Sequence, residues 1–294
     1  MNEKFYSKVM LFGEYSVIRE SMALAIPYKV YEGHLSFKTE NFKIDNELLS
    51  FYQYLKNKDS LPLDFDLDKL SSDINQGLYF NSTIPKGYGI GSSGALCAAL
   101  LSSYGNCKRN EIKTIKKILS EMESHFHGSS SGLDPLISYL NSPILIKDGQ
   151  VNSVALPEFT KGQGGIFLLN TGKDRRTEPL VNLFLEKCKN EDFSSLCDRV
   201  LNPITDSCIS SFLNGDVRSL YEFFRELSDF QFRHFSPMIP QDFQPLWKEG
   251  LKSEDFYLKL CGAGGGGFLM GISRNLEKAQ HKLKLYGIRP VFTF

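Results

Sequence analysis

An α+β fold in two lobes is predicted by three features of this 294-residue chain. It exceeds the usual size of a single hydrophobic core. Strand-like runs lead at the start and dominate the end. Strongly periodic helical stretches lie between them. The glycine-rich KGQGG segment marks the expected division, with an N-terminal domain over residues 1–161 and a C-terminal domain over residues 162–294.

Taken in order, residues 8–12 and 22–26 read as short buried strands, and residues 28–38, rich in aromatics and alternation, as a third. One modest helix is expected between 41 and 73, from Leu48, Leu49, Phe51, Tyr52 and Leu55 at helical spacing. Residues 111–127 carry Ile112, Ile115, Ile118, Leu119, Met122 and Phe126 at three- and four-residue steps, and Gly128 stands where that helix would stop. Asp148-Gly149 between two apolar runs predicts a hairpin. Beyond the boundary come a strand at 166–170 and helices at 181–188, 193–200 and 219–232. Strands at 256–260 and 268–272 flank CGAGGGG, and a last one at 288–294 is interrupted by Pro290.

With 34 basic and 34 acidic residues the net charge is zero, which leaves no electrostatic footprint for nucleic acid or an acidic membrane and points to small-molecule partners. Six cysteines include no C-x-x-C pair, so they read as reduced thiols of a cytoplasmic protein. The first residues mix acid and base like neither a signal nor a transit peptide, and no stretch approaches the roughly 20 apolar residues of a membrane span.

The most informative stretch is PKGYGIGSSGA, residues 85–95, which runs directly into the apolar LCAALLSSY. Gly87, Gly89 and Gly91 lack a Cβ, so successive amides can turn inward and approach an oxyanion closely. Ser92 and Ser93 add hydroxyls where a helix begins and its unpaired amides favour negative charge. A nucleotide polyphosphate fits this description.

Three other patterns fail on context. Residues 89–94 satisfy G-x-G-x-x-G, but the nearest acid at the right distance, Glu111, opens a lysine-rich helix rather than ending a strand, and there is no G-x-x-x-x-G-K-[ST]. Residues 128–132 satisfy G-x-S-x-G, but a nucleophile elbow at Ser130 needs a strand before it and a helix after, whereas a helix precedes and Asp134-Pro135 follows. Glu123, His125 and His127 suggest a metal, yet residues two apart on a helix face different ways.

Four segments need one explanation: KVMLFGEYSVI, the phosphate loop, HGSSSGLDP and KLCGAGGGGFLMGI. Their order and wording resemble the GHMP kinases, the family named for galactokinase, homoserine kinase, mevalonate kinase and phosphomevalonate kinase, and the motifs are most like those of its mevalonate kinase branch. The resemblance implies a two-lobed α+β fold with a nucleotide- and substrate-binding cleft between the lobes. It also implies ATP-dependent phosphoryl transfer to a small-molecule alcohol in isoprenoid precursor synthesis, with mevalonate as favoured acceptor. Asp134 is implied as the catalytic carboxylate, with Lys8 beside it. ATP would lie along Pro85, Lys86, Gly87, Gly89, Gly91, Ser92, Ser93 and Gly94, and Mg2+ would be held by Ser93 and Glu123. Glu14, Tyr15, Arg175, Thr177, Gly264 and Gly265 fall on the acceptor side, although Tyr15 stands where the family has histidine. The resemblance leaves room for a homodimer. Phosphomevalonate or a sugar is the alternative acceptor, with Lys173, Arg175 and Arg176 able to meet a phosphate. A non-catalytic nucleotide-binding regulator is the alternative of a different class.

Overall fold

Apolar runs at the N-terminus build β1 (Phe5–Phe12), whose Val9, Leu11 and Phe12 are fully buried, and β2 (Ala23–Phe37), buried over its first residues. A computed structural model describes residues 3–40, 42–58, 65–106, 111–128, 130–174 and 177–294, without the side chains of residues 127, 177 and 178. The two strands expected at 22–26 and 28–38 are one. Pro27 does not break β2, which runs on from Ala23–Ala25, paired with one partner strand, to residues 33–37, paired with another.

The chain divides into two compact units, each assembled from several stretches. The first comprises Met1–Val9, Ile26–Pro85 and Ile90–Pro143. In it, residues 33–37 of β2 pair antiparallel with β3 (Leu78–Ser82). The single helix expected between 41 and 73 is two, α1 (Asn46–Lys56) and α2 (Leu67–Asn75), each started by an aspartate, Asp45 and Asp66, that accepts from first-turn amides. Next come α3 (Ser92–Tyr104), α4 (Ile112–His127) and α5 (Leu133–Leu140). Helix α3 is the centre of this unit: every residue from Gly94 to Leu101 is buried, and α2, α4 and α5 pack around it.

Helix α5 departs from the sequence pattern, in which Pro135 reads as a breaker. The proline sits in the first turn, where its missing N–H would have had no helical acceptor. The context against an elbow at Ser130 is thereby corrected in one half, since a helix does follow. What precedes is still helix α4.

The second unit comprises Met10–Ala25, Lys86–Gly89 and Ile144–Phe294. Ala23–Ala25 pair with β4 (Ile144–Lys147), which forms a hairpin with β5 (Gln150–Ser153). Asp148 and Gly149 both take positive φ, at 51° and 69°, as a two-residue hairpin of the primed type requires. An antiparallel sheet of order β7-β8-β6-β9 combines β6 (Gly165–Asn170), β7 (Tyr257–Leu260), β8 (Phe268–Ser273) and β9 (Ile288–Thr293). Pro290 is accommodated on β9, an end strand of that sheet. The helices are α6 (Thr177–Lys187), α7 (Glu191–Leu196), α8 (Asn202–Leu213), α9 (Val217–His234), α10 (Gln244–Ser253) and α11 (Leu276–Lys282).

The helix expected at 193–200 therefore runs on through a wide π turn, Cys197–Leu201, into α8. Pro203 cannot donate and would clash in a regular helix interior, and the widened turn just before it makes room for the ring. Among the described residues no helix is long and apolar enough to cross a membrane.

Candidate active site

Two residue clusters, one in each unit, collect nearly every residue singled out from the sequence. In the first unit, Lys8 projects from β1, whose Lys8 amide donates to the Ile90 carbonyl at 2.9 Å and so ties the strand to the end of the phosphate loop. The Lys8 ammonium lies 2.9 Å from Asp134 Oδ1; the lysine side chain is 6 % exposed and the aspartate 32 %, which leaves the carboxylate reachable from solvent.

Two glycines bring Asp134 there. A Cβ at Gly132 would meet the Lys116 carbonyl oxygen of α4 at 2.3 Å, and one at Gly94 would meet Pro135 N at 2.8 Å and the Asp134 carbonyl carbon at 3.0 Å. Only bare backbone at both positions lets the start of α5 press against α3 and α4 together. A Cβ on Gly91, at φ 80°, would likewise lie 3.0 Å from Lys8 Cγ.

Ser93 Oγ donates to Glu123 Oε1 at 3.1 Å, and Ser130 Oγ donates to Glu123 Oε2 at 2.5 Å while accepting from the Gly132 amide at 3.0 Å. Helix α3 opens at Gly91 with no side-chain cap, so its first-turn amides at Ser92, Ser93 and Gly94 are oriented as for an anion. Lys8, Asp134, Glu123 and Ser93, far apart in sequence, thus surround one helix start.

Burial, and then the charge of Asp134, push the Glu123 carboxyl up to about 7, against the pull of hydrogen bonds from Ser130 and Ser93 and of the Lys8 ammonium. Between the ordinary value of 4.5 and about 7 the folded chain holds a proton that the unfolded chain has released, so this group's contribution to stability is lost as pH rises through that window. Thermal unfolding followed between about pH 5 and pH 7 is expected to show a fall in Tm with pH that Glu123→Gln flattens. An equal slope in both proteins would contradict the assignment.

His125 is not aimed at an ion: its ring packs on Phe51 and Tyr54, 5.5 and 4.9 Å away between centroids. The His127 side chain lies outside the described residues. Among the described residues no three His, Cys, Asp or Glu side chains gather as a metal cluster.

In the second unit, residues 86–89 of the phosphate loop lie on the glycine run. A Cβ at Gly267 would meet the Tyr88 carbonyl oxygen at 2.5 Å, and the Tyr88 ring packs on Phe268. Gly87 and Gly89 both have positive φ, Lys86 is exposed, and Pro85 closes the first unit's stretch just before them. The run is held by Gly265 N–H donating to Met238 O and Gly267 N–H donating to Lys173 O, each at 2.7 Å. Backbone oxygens leave no room for a side chain at Gly264 or Gly266.

Glu14 and Tyr15 are both buried here. Glu14 Oε1 accepts from Lys259 Nζ at 2.6 Å and from the Gly262 amide at 3.3 Å, and Tyr15 Oη donates to the Ala263 carbonyl at 2.6 Å. Burial raises the Glu14 carboxyl above its ordinary range, and Lys259 pulls it back. Thr177 opens α6, but its side chain, like all of Arg175, is outside the described residues.

Sequence reasoning misses Lys259 and Thr171, whose hydroxyl donates to Gly267 O at 2.7 Å, and weighs Ser130 only as a nucleophile, not as a donor to Glu123. Lys259 carries a usable signal: a lysine inside the apolar run YLKL demands a buried partner.

Residues 50–142 match the GHMP kinases N terminal domain. Mevalonate kinase from Pyrococcus horikoshii is 24% identical over 219 residues, covering 66% of this chain and 63% of that protein, so the match takes in less than two thirds of the relative's length. The crystal structure of L. major mevalonate kinase in complex with R-mevalonate shares the fold at TM-score 0.67 and 18% identity, over 97% of this chain and 91% of that one. Streptococcus pneumoniae phosphomevalonate kinase, in complex with phosphomevalonate and AMPPNP, does so at TM-score 0.67 and 14% identity, over 99% and 98%.

The chain carries a GHMP kinase N-terminal domain and, over nearly its whole length, the α+β fold of the GHMP kinases. The curated relative and the first of these two structures are mevalonate kinases.

Proposed function

We propose that this chain is an ATP-dependent small-molecule kinase that transfers the γ-phosphoryl group to an alcohol, with mevalonate as acceptor. The single observation that carries the reading is the Lys8–Asp134 pair, 2.9 Å apart, beside the uncapped start of α3. Phosphoryl transfer asks of the protein mainly positioning and charge. ATP phosphates are assigned to the loop and helix start, Pro85, Lys86, Gly87, Gly89, Gly91, Ser92, Ser93 and Gly94. Asp134 orients, and accepts a proton from, the acceptor hydroxyl. Lys8 pairs with Asp134 and faces the charge that spreads over the transferring group.

Ser93 and Glu123 are hard oxygen donors and fit magnesium, which typically takes one or two protein ligands and completes its shell with water and phosphate oxygens. When bound, the ion supplies charge neutralisation on the nucleotide phosphates. Glu14, Tyr15, Gly264 and Gly265, together with Arg175 and Thr177, are assigned to the acceptor side. The same reading makes the protein a cytoplasmic enzyme of isoprenoid precursor synthesis, alone or as a homodimer.

A regulator that had lost turnover would be expected to have lost Lys8, Glu123 or Asp134, and all three are present. A phosphorylated acceptor would call on Lys173, yet its ammonium is already 2.5 Å from Asp242. The test is ADP release with mevalonate, phosphomevalonate, homoserine and galactose as acceptors. The highest kcat/KM is expected for mevalonate. A preference for phosphomevalonate would transfer the assignment to the second acceptor, and no release with any of them would end the kinase reading.

A further inference from the structure

The backbone at Tyr15 is unusual for a bulky residue. Its φ is 64° and ψ −43°, and the Ser16 amide donates to the Glu14 carbonyl at 2.7 Å, which together make a γ-turn of the rarer, strained form. Such a conformation persists only where its surroundings over-determine it, and an observed outlier of this kind is a reason to ask what it does. Here three contacts tie the turn to the start of the glycine run. Glu14 accepts from the Lys259 ammonium and the Gly262 amide, and Tyr15 Oη donates to the Ala263 carbonyl. The Lys259 and Glu14 side chains are 0% and 1% exposed, and the Tyr15 ring is packed by Phe184 and Phe235 at 4.8 and 5.1 Å between centroids.

The glycine run beyond is anchored at alternate amides only. Gly265 and Gly267 are bonded to Met238 and Lys173, whereas the amides of Gly264 and Gly266 have no intramolecular acceptor among the described residues. Gly262, Gly264, Gly265 and Gly267 have φ between 71° and 79°, where glycine has little intrinsic preference, so the run's shape must be imposed by what grips it.

We propose that Tyr15 is a positioning residue: its hydroxyl fixes the backbone of residues 261–267, and through that backbone it sets the affinity for the acceptor alcohol. The link to the acceptor rests on the kinase reading above; the grip on the glycine run does not. Tyr15→Phe keeps the ring between Phe184 and Phe235 and deletes one hydrogen bond. Loss of one such bond corresponds to roughly a fivefold change in equilibrium. Amide hydrogen exchange in residues 261–267 of the unliganded variant is expected to speed up by about that factor, with the rest of the protein unchanged. The acceptor KM is expected to rise by about the same factor, while kcat and the KM for ATP hold.

Unchanged exchange in residues 261–267 overturns the proposal whatever the enzyme does. Faster exchange with an unchanged acceptor KM, in a protein whose parent turns over, overturns the link to the acceptor. A parent that phosphorylates no alcohol removes the kinase reading and the acceptor link together, and the exchange measurement then decides the grip alone. Tyr15→His, which keeps a ring donor on a shorter side chain, is expected to fall between the parent and Tyr15→Phe in exchange rate. Exchange slower than in the parent would contradict the hydroxyl's role.

Discussion

Asp134→Asn is expected to lower phosphoryl transfer by about 10²- to 10⁴-fold while the chain stays folded. The amide has the shape of the carboxylate and can still accept from Lys8, but it can neither take the acceptor's proton nor bear the charge that holds the pair together. Lys8 is buried and would lose its nearest counter-ion, yet Glu123 is close enough to interact with the same ammonium, so the pocket is not left with an isolated charge. The effect should therefore fall on kcat far more than on Tm. Steady-state ADP release and a melting curve on the same preparation check both halves. Transfer at the parent rate would remove Asp134 from the mechanism.

The largest loss of stability is expected at a different place, Lys259→Met. Removing one partner of a buried ion pair leaves the other charge without compensation, which typically costs about 3–5 kcal/mol, whereas replacing both partners is often near neutral. Glu14 would keep only the Gly262 amide, and its carboxyl is already pushed upward by burial. A drop in Tm on the order of 10 °C follows for a chain of this size. Combining Lys259→Met with Glu14→Gln should recover most of it, because no orphan charge remains. A single variant as stable as the parent would show that the pair carries little of the fold.

The candidate cluster of the first unit is legible in the sequence because its residues sit next to strong local punctuation. Ser93 follows a glycine loop at a helix start, Glu123 lies on a helix with unmistakable periodicity, and Asp134 follows glycines at the next helix start. The hairpin at Asp148-Gly149 is legible for the same reason. What local pattern does not supply is anything set by distant partners. Glu14 and Lys259 are 245 residues apart, and nothing near either names the other. Ser130 matches a nucleophile motif that its context excludes, and its bond to Glu123 depends on how α4 turns into α5. The prolines mislead in one direction. Pro27 falls between two runs read as separate strands and Asp134-Pro135 reads as the end of a pattern, yet a single strand passes through the first and a helix holds the second in its opening turn, where the missing N–H costs no helix bond.

The most direct test of the account is a structure of the protein with magnesium and a non-hydrolysable ATP analogue. The account predicts phosphate oxygens on the amides at the start of α3, the ion on Ser93 and Glu123, the Lys8 ammonium within hydrogen-bonding reach of the terminal phosphate, and Asp134 beside Lys8 on the side from which the acceptor hydroxyl would approach. A nucleotide bound elsewhere, with Lys8 and Asp134 remote from its phosphates, would contradict it.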